Sequence, residues 1–183
     1  MARSTFSRSL HDLGLSAWFG GTLANAVALN AAAAEAGSDK AVGAVTNAGW
    51  NRWTPVNAAA IGAHLIGSVG QLGANKDRVA QQKGVGSMSA AKTLLTAAAL
   101  GVTAYSRLLG KVVSQGGATP SKRGTKASKT ARADIAAAQA KLDQLQWVVP
   151  AITGTLVVMS SYAGEQQRPS EVLRGISENS ATV

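Results

Sequence analysis

The residues best able to carry chemistry in this 183-residue chain are His64 and the two amides placed seven residues to either side, Asn57 and Gln71. On an α-helix that spacing puts all three in one polar stripe. They lie in Trp50–Gly73, WNRWTPVNAAAIGAHLIGSVGQLG, which opens with a Trp-Asn-Arg-Trp cluster and then carries no charge unless His64 is protonated. An imidazole inside an apolar helix is costly without a partner, so His64 is the leading candidate for a haem or copper ligand or a proton relay. Its structural alternative is a hydrogen bond across to Asn25, Asn30 or a Thr of the next apolar run, holding helices together.

Asn25, Asn30, Asn57 and Gln71 could line a solute path, or act as interhelical hydrogen bonders worth about 1 kcal/mol each. His11 is the only other imidazole and there is no cysteine. Disulfides, thiol catalysis and Cys-ligated zinc are therefore excluded, and two histidines without an intramembrane carboxylate make a poor metal site. No metal centre is expected; haem or copper on His64 is the alternative. The absence of acidic residues from the apolar runs argues against coupling to protons or sodium. Gly-x-Gly-x-x-Gly, Gly-Lys-Ser/Thr, His-Glu-x-x-His and Gly-x-Ser-x-Gly are all missing, so no enzyme class is indicated.

The elements that must position these residues read as membrane spans. Hydrophobic residues make up 46% of the chain but aromatics only 4%, and there are twenty glycines. A soluble Ala-rich bundle is the rival, yet it would show a charged face at helical spacing, and 13–34, 54–75 and 147–164 show none. Mean hydropathy is only +0.08, held down by polar connections and by alanine. The expectation is an all-α, four-transmembrane-helix bundle with a short amphipathic helix before the last span. Its spans are 13–34, 54–75, 93–112 and 147–164, in a single membrane domain. Gly20, Ala24 and Ala28 recur every four residues in the first span, and Gly62 and Gly67 add small positions in the second, so these are the expected helix-packing faces. Pro55 is expected at the start of the second span.

Trp50, Trp53 and Trp147 read as interface anchors, joined by Arg107 and Lys111 snorkelling to headgroups. Segment 114–132 reads as a flexible basic linker whose Lys122, Arg123, Lys126, Lys129 and Arg132 suit anionic lipid headgroups. Without interleaved aromatics it does not suit nucleic acid. Residues 133–146 place Ile135, Ala138, Leu142 and Leu145 on one face, a short amphipathic helix on the membrane surface. The tail 166–183 reads as loose. The N-terminal basic residues and an Ala-x-Ala near Ala34 leave signal cleavage open, although the run behind them is long enough to span. Arg3 and Arg8 ahead of the first span, with Glu35 and Asp39 behind it, favour cytoplasmic termini; basic residues after the third span pull the other way.

The segment His11-Asp-Leu-Gly-Leu-Ser-Ala-Trp-Phe-Gly-Gly21 resembles the first span of several small membrane families. Copper-resistance D-like proteins and a four-span family of unknown function are examples. Asn51-Arg-Trp-Thr-Pro-Val-Asn57 and Gly164-Glu-Gln-Gln-Arg-Pro169 resemble uncharacterised four-span actinobacterial membrane proteins. The second resemblance covers most of the chain and implies a multi-pass plasma-membrane protein without a transferable activity; the first implies copper handling. Expected partners are the lipid bilayer and other membrane subunits, or a homo-oligomer.

Overall fold

The computed structural model describes residues 4–115 and 121–180 and is helical almost throughout. Helix α1, Thr5–Ala24, continues through a π-helical turn at Asn25–Leu29 into the short α2, Asn30–Ala33. The π turn begins where the Asn25 side chain donates to the Gly21 carbonyl at 3.0 Å, an amide competing with the backbone ladder. The extra residue re-phases the chain, and Asn30 and Ala33 beyond it are buried.

Gly37, at a φ of +79°, turns the chain back, and the Ser38 hydroxyl caps α3 by accepting from the Ala41 amide at 3.2 Å. Helix α3, Asp39–Ala74, has 36 residues, which corresponds to roughly 54 Å of helix. Pro55 therefore lies inside the helix and not at its start. Val42, Gly43 and Thr46 are buried, so the residues before Trp50 have a packed face that a loop would lack.

Helix α4, Lys76–Gln81, leads through Gly84 (φ +83°) into α5, Val85–Gln115. An antiparallel hairpin follows, β1 Ser121–Arg123 and β2 Lys126–Ala127. The chain ends in α6, Ala133–Glu165, and α7, Pro169–Ser180.

Three sequence expectations are corrected here. The amphipathic segment 133–146 is the first part of α6 and not a separate surface helix. Its Ile135, Ala138 and Leu142 pack against Val113 and Leu109 of α5, which covers the face assigned to lipid. Within the linker 114–132, residues 116–120 lie outside the described residues, but 121–132 is ordered around the hairpin. Ser121 donates to the Lys126 carbonyl, Thr125 to Asp143 of α6 at 2.7 Å, and Ser128 to Asp39 of α3. Small hydroxyl residues turn inward while Lys122, Arg123, Lys126, Lys129 and Arg132 stay exposed. In the tail 166–183, residues 181–183 lie outside the described residues and most of the rest is α7. Arg78 donates to the Gln166 carbonyl at 2.8 Å, and buried Gln82 donates to the carbonyls of Gln166 and Glu171.

Around the bundle, α1 packs chiefly on α3 and on α6, and α6 on α5. Trp18, Ala60, Ala99 and Val149, one from each long helix, meet in the centre. Glycines of α1 and α3 set the closest approach. A Cβ at Gly14 would strike the Ala60 carbonyl and the His64 amide, and one at Gly67 would strike the His11 amide and the Ser7 carbonyl. Gly67 thus packs as expected, but Gly20, Ala24 and Ala28 are exposed, and Gly62 has open space at its Cβ position. The reason is phase: positions 18 and 20 are about 200° apart on a helix, and Trp18 is fully buried.

Two helices, Val85–Ser114 and Ala133–Glu165, are long and apolar enough to cross a membrane, each with a mean hydropathy of 1.3 over its most apolar window. Only 11% and 22% of those windows are buried inside the bundle.

Candidate functional site

Polar side chains collect inside the bundle at two places. The first is the contact of α1 with α3. The His11 and His64 rings lie 4.6 Å apart between centroids, and Trp18 flanks His64 at 6.1 Å. His11 Nδ1 is 2.7 Å from Asp12 Oδ1, and Lys92 Nζ of α5 is 3.5 Å from His11 Nε2. A neutral imidazole satisfies both contacts, donating from Nδ1 and accepting at Nε2.

Neither ring nitrogen of His64 has a hydrogen-bond partner among the described residues. The described residues hold no group of three or more His, Asp or Glu placed to bind a metal. A metal ion beside this pair would also face the Lys92 ammonium, so the arrangement suits an interhelical contact better than a cation site.

The second place is a cavity of about 360 Å³ between α3 and α5, which scarcely approach one another. Trp50, Trp53 and Asn57 line it from α3, Thr103 and Ser106 from α5, and Gln139 from α6. Gly124 and Thr125 of the hairpin close one end, and Ile61, Leu100 and Val149 form an apolar end. Arg107, on the lining, bridges the two helices by donating to Asn51 Oδ1 at 2.8 Å.

The stripe Asn57–His64–Gln71 is thus divided. Asn57 faces the cavity, His64 faces His11, and Gln71 is half-buried with its amide nitrogen unpartnered. All three turn inward, as the spacing implies; His64 meets Gly14 and Trp18 of α1, and not Gly20, Ala24 and Ala28. Asn30 is the interhelical bonder the sequence suggested: it accepts from Trp50 Nε1 at 3.1 Å and donates to Gln146 Oε1 at 2.6 Å. Asn25 bonds within its own helix.

Trp50 and Trp53 are half-buried between helices and do not stand at the bundle's outer surface, whereas Trp147 is 50% exposed and Lys111 is exposed. Sequence reasoning missed Thr46, Thr103, Ser106 and Gln139, because hydroxyls and a single Gln in Ala-rich helices carry no pattern of their own. It also left Lys92 in a connection, although Lys92 lies inside α5 and reaches His11.

No family model, curated protein or solved structure matches the chain. Function therefore rests on the geometry alone.

Proposed function

We propose that the chain is a polytopic, non-enzymatic integral membrane protein. In this reading four long helices cross the plasma membrane, with both termini cytoplasmic. The bundle packs with other membrane helices, as an accessory subunit of a larger assembly or as a homo-oligomer.

One observation carries the reading: large apolar side chains face outward while polar ones are buried beside the apolar core. Leu13, Ile66, Val69, Leu94 and Val158 are more than half exposed, whereas His64, Gln139 and Thr153 are almost fully buried. A water-soluble bundle of this length distributes these types the other way. The helices α3, α5 and α6 also exceed the roughly 30 Å of a hydrocarbon core, which fits ends that protrude and carry the hairpin, α4 and α7. The open face of Gly20, Ala24 and Ala28 supports docking by another helix.

Alkaline-carbonate extraction is the direct test, with retention in the pellet expected. Recovery as a folded monomer in the soluble fraction would end the reading. Reporter fusions at the C-terminus and in the hairpin should report opposite sides, with the C-terminus inside.

Haem or copper bound through His64 is the second reading, favoured by the nearness of His11. An absorption spectrum and metal analysis of protein purified in mild detergent test it. A Soret band or stoichiometric copper that His64→Leu removes would establish it.

A further inference from the structure

We infer that the cavity between α3 and α5 is a binding site for an uncharged, flat-ringed alcohol or phenol. The inference goes beyond the membrane reading, because the chemistry of the lining stands whatever surrounds the bundle.

The first support comes from the helical hydroxyls. Thr22, Thr54, Ser114 and Thr153 each donate to the carbonyl four residues back, the usual resting place for a hydroxyl inside a helix. Thr46, Thr103 and Ser106 have buried hydroxyls with no partner among the described residues, and all three line this one cavity. Asn57 Oδ1, Gln139 Oε1 and Trp53 Nε1 are unpartnered as well and belong to the same lining. Thr46, Asn57 and Gln139 are each more than nine-tenths buried. Buried polar atoms in native proteins nearly always find a partner. Six of them converging from three helices on one space mark where a partner sits.

The types of these atoms then select the ligand. An indole N–H only donates, amide oxygens only accept, and hydroxyls do both. A ligand that meets the set must both give and take hydrogen bonds, which an O–H does and a bare carbonyl does not. No carboxylate or ammonium lines the space, and the single charged side chain there, Arg107, is held by Asn51. The six unpartnered atoms all belong to neutral groups, and the Arg107 guanidinium meets Asn51 at the exposed mouth, so an ion bound among them would sit without a counter-charge and the ligand is neutral. Apart from these atoms the lining is mostly apolar, with the Trp50 and Trp53 indoles in one wall, which suits a flat ring. The volume of about 360 Å³ lies within the usual range of small-molecule sites. The gap between α3 and α5 gives a side-on way in, crossed by the Arg107–Asn51 bond.

The test uses full-length protein in mild detergent, titrated with 2-naphthol and corrected for uptake by empty micelles. Naphthalene, which lacks the hydroxyl, and naphthalene-2-sulfonate, which adds a charge, are the comparisons. Saturable binding of one 2-naphthol per chain is expected, about tenfold or more tighter than either comparison. Thr103→Val keeps the space and removes one hydroxyl. It should weaken 2-naphthol roughly fivefold, leave naphthalene unchanged and not lower thermal stability. Ser106→Phe should fill the cavity and abolish binding; if it fails to fold, Thr103→Val decides alone. Equal binding of naphthalene and 2-naphthol, uptake no greater than by empty micelles, or indifference to Thr103→Val would each overturn the inference. So would a second copy of the chain, or a co-purifying helix, cross-linked into the gap through Thr103. Carbonate extraction does not enter any of these outcomes, so failure here and failure of the membrane reading are separable.

Discussion

Gly14 of α1 lies so close to the backbone of His64 in α3 that a methyl group there would strike the His64 amide nitrogen. The contact defines which face of α1 is inside, and it makes two glycines six residues apart behave oppositely. Gly14→Val forces the helices apart and should cost roughly 1–3 kcal/mol or more. Gly20→Ala meets open space and should be neutral or stabilising by up to about 1 kcal/mol, since alanine is the better helix former. Denaturant unfolding in detergent micelles measures both, and a larger loss at Gly20 would mean that α1 is turned the other way.

Asn30 joins three parts of the bundle, because its amide serves Trp50 of α3 and Gln146 of α6 together. Asn30→Leu leaves both partners unsatisfied in a half-buried place, at about 1–3 kcal/mol each. The thermal transition should fall and the Trp50 emission should shift as its indole loses a fixed acceptor. An unchanged transition would show that the junction is held elsewhere.

The sequence made the inward turn of Asn57, His64 and Gln71 legible, because a seven-residue spacing survives any packing. It did not make the facing surface of α1 legible. Gly20, Ala24 and Ala28 form as good a small-residue ladder as Gly14 and Gly21, and only the burial of Trp18 between them decides. Helix boundaries failed where local signals were overruled by packing: Pro55 looks like a helix start and Trp147 like the start of a span, yet Val42 and Ile135 pack well enough to extend α3 and α6 upstream. The hairpin was read as disordered because its basic residues dominate its composition. Its order comes from Ser121, Thr125 and Ser128, which bond to Lys126, Asp143 and Asp39. Of the cavity's polar lining only Asn57 was legible as such: Thr46 lies in a part of α3 ahead of the expected span, and Thr103, Ser106 and Gln139 come from other helices.

The hairpin gives the sharpest contrast between composition and structure. Arg123 and Lys126 are exposed and flank Gly124, so a loose linker would be cut there by trypsin at once. In the folded protein the first bond opens the hairpin turn and the second lies in β2, with Thr125 of the turn fastened to Asp143 and Ser128, just after β2, to Asp39. Cleavage must wait for local opening, and its rate follows the free energy of that opening. The two fastening bonds go to carboxylates, which makes them stronger than neutral ones, about 1.5–3 kcal/mol each. Thr125→Val with Ser128→Ala should therefore raise cleavage after Arg123 and Lys126 by at least about tenfold, by the usual conversion of 1.4 kcal/mol per decade. Mass spectrometry of the fragments reads the sites, and the thermal transition of the bundle should move little, because the hairpin sits at its end. If the unmodified protein is cut there as fast as a free peptide of the same sequence, the hairpin is not fastened. If the double variant is cut no faster than the parent, the hydroxyls are not what fastens it.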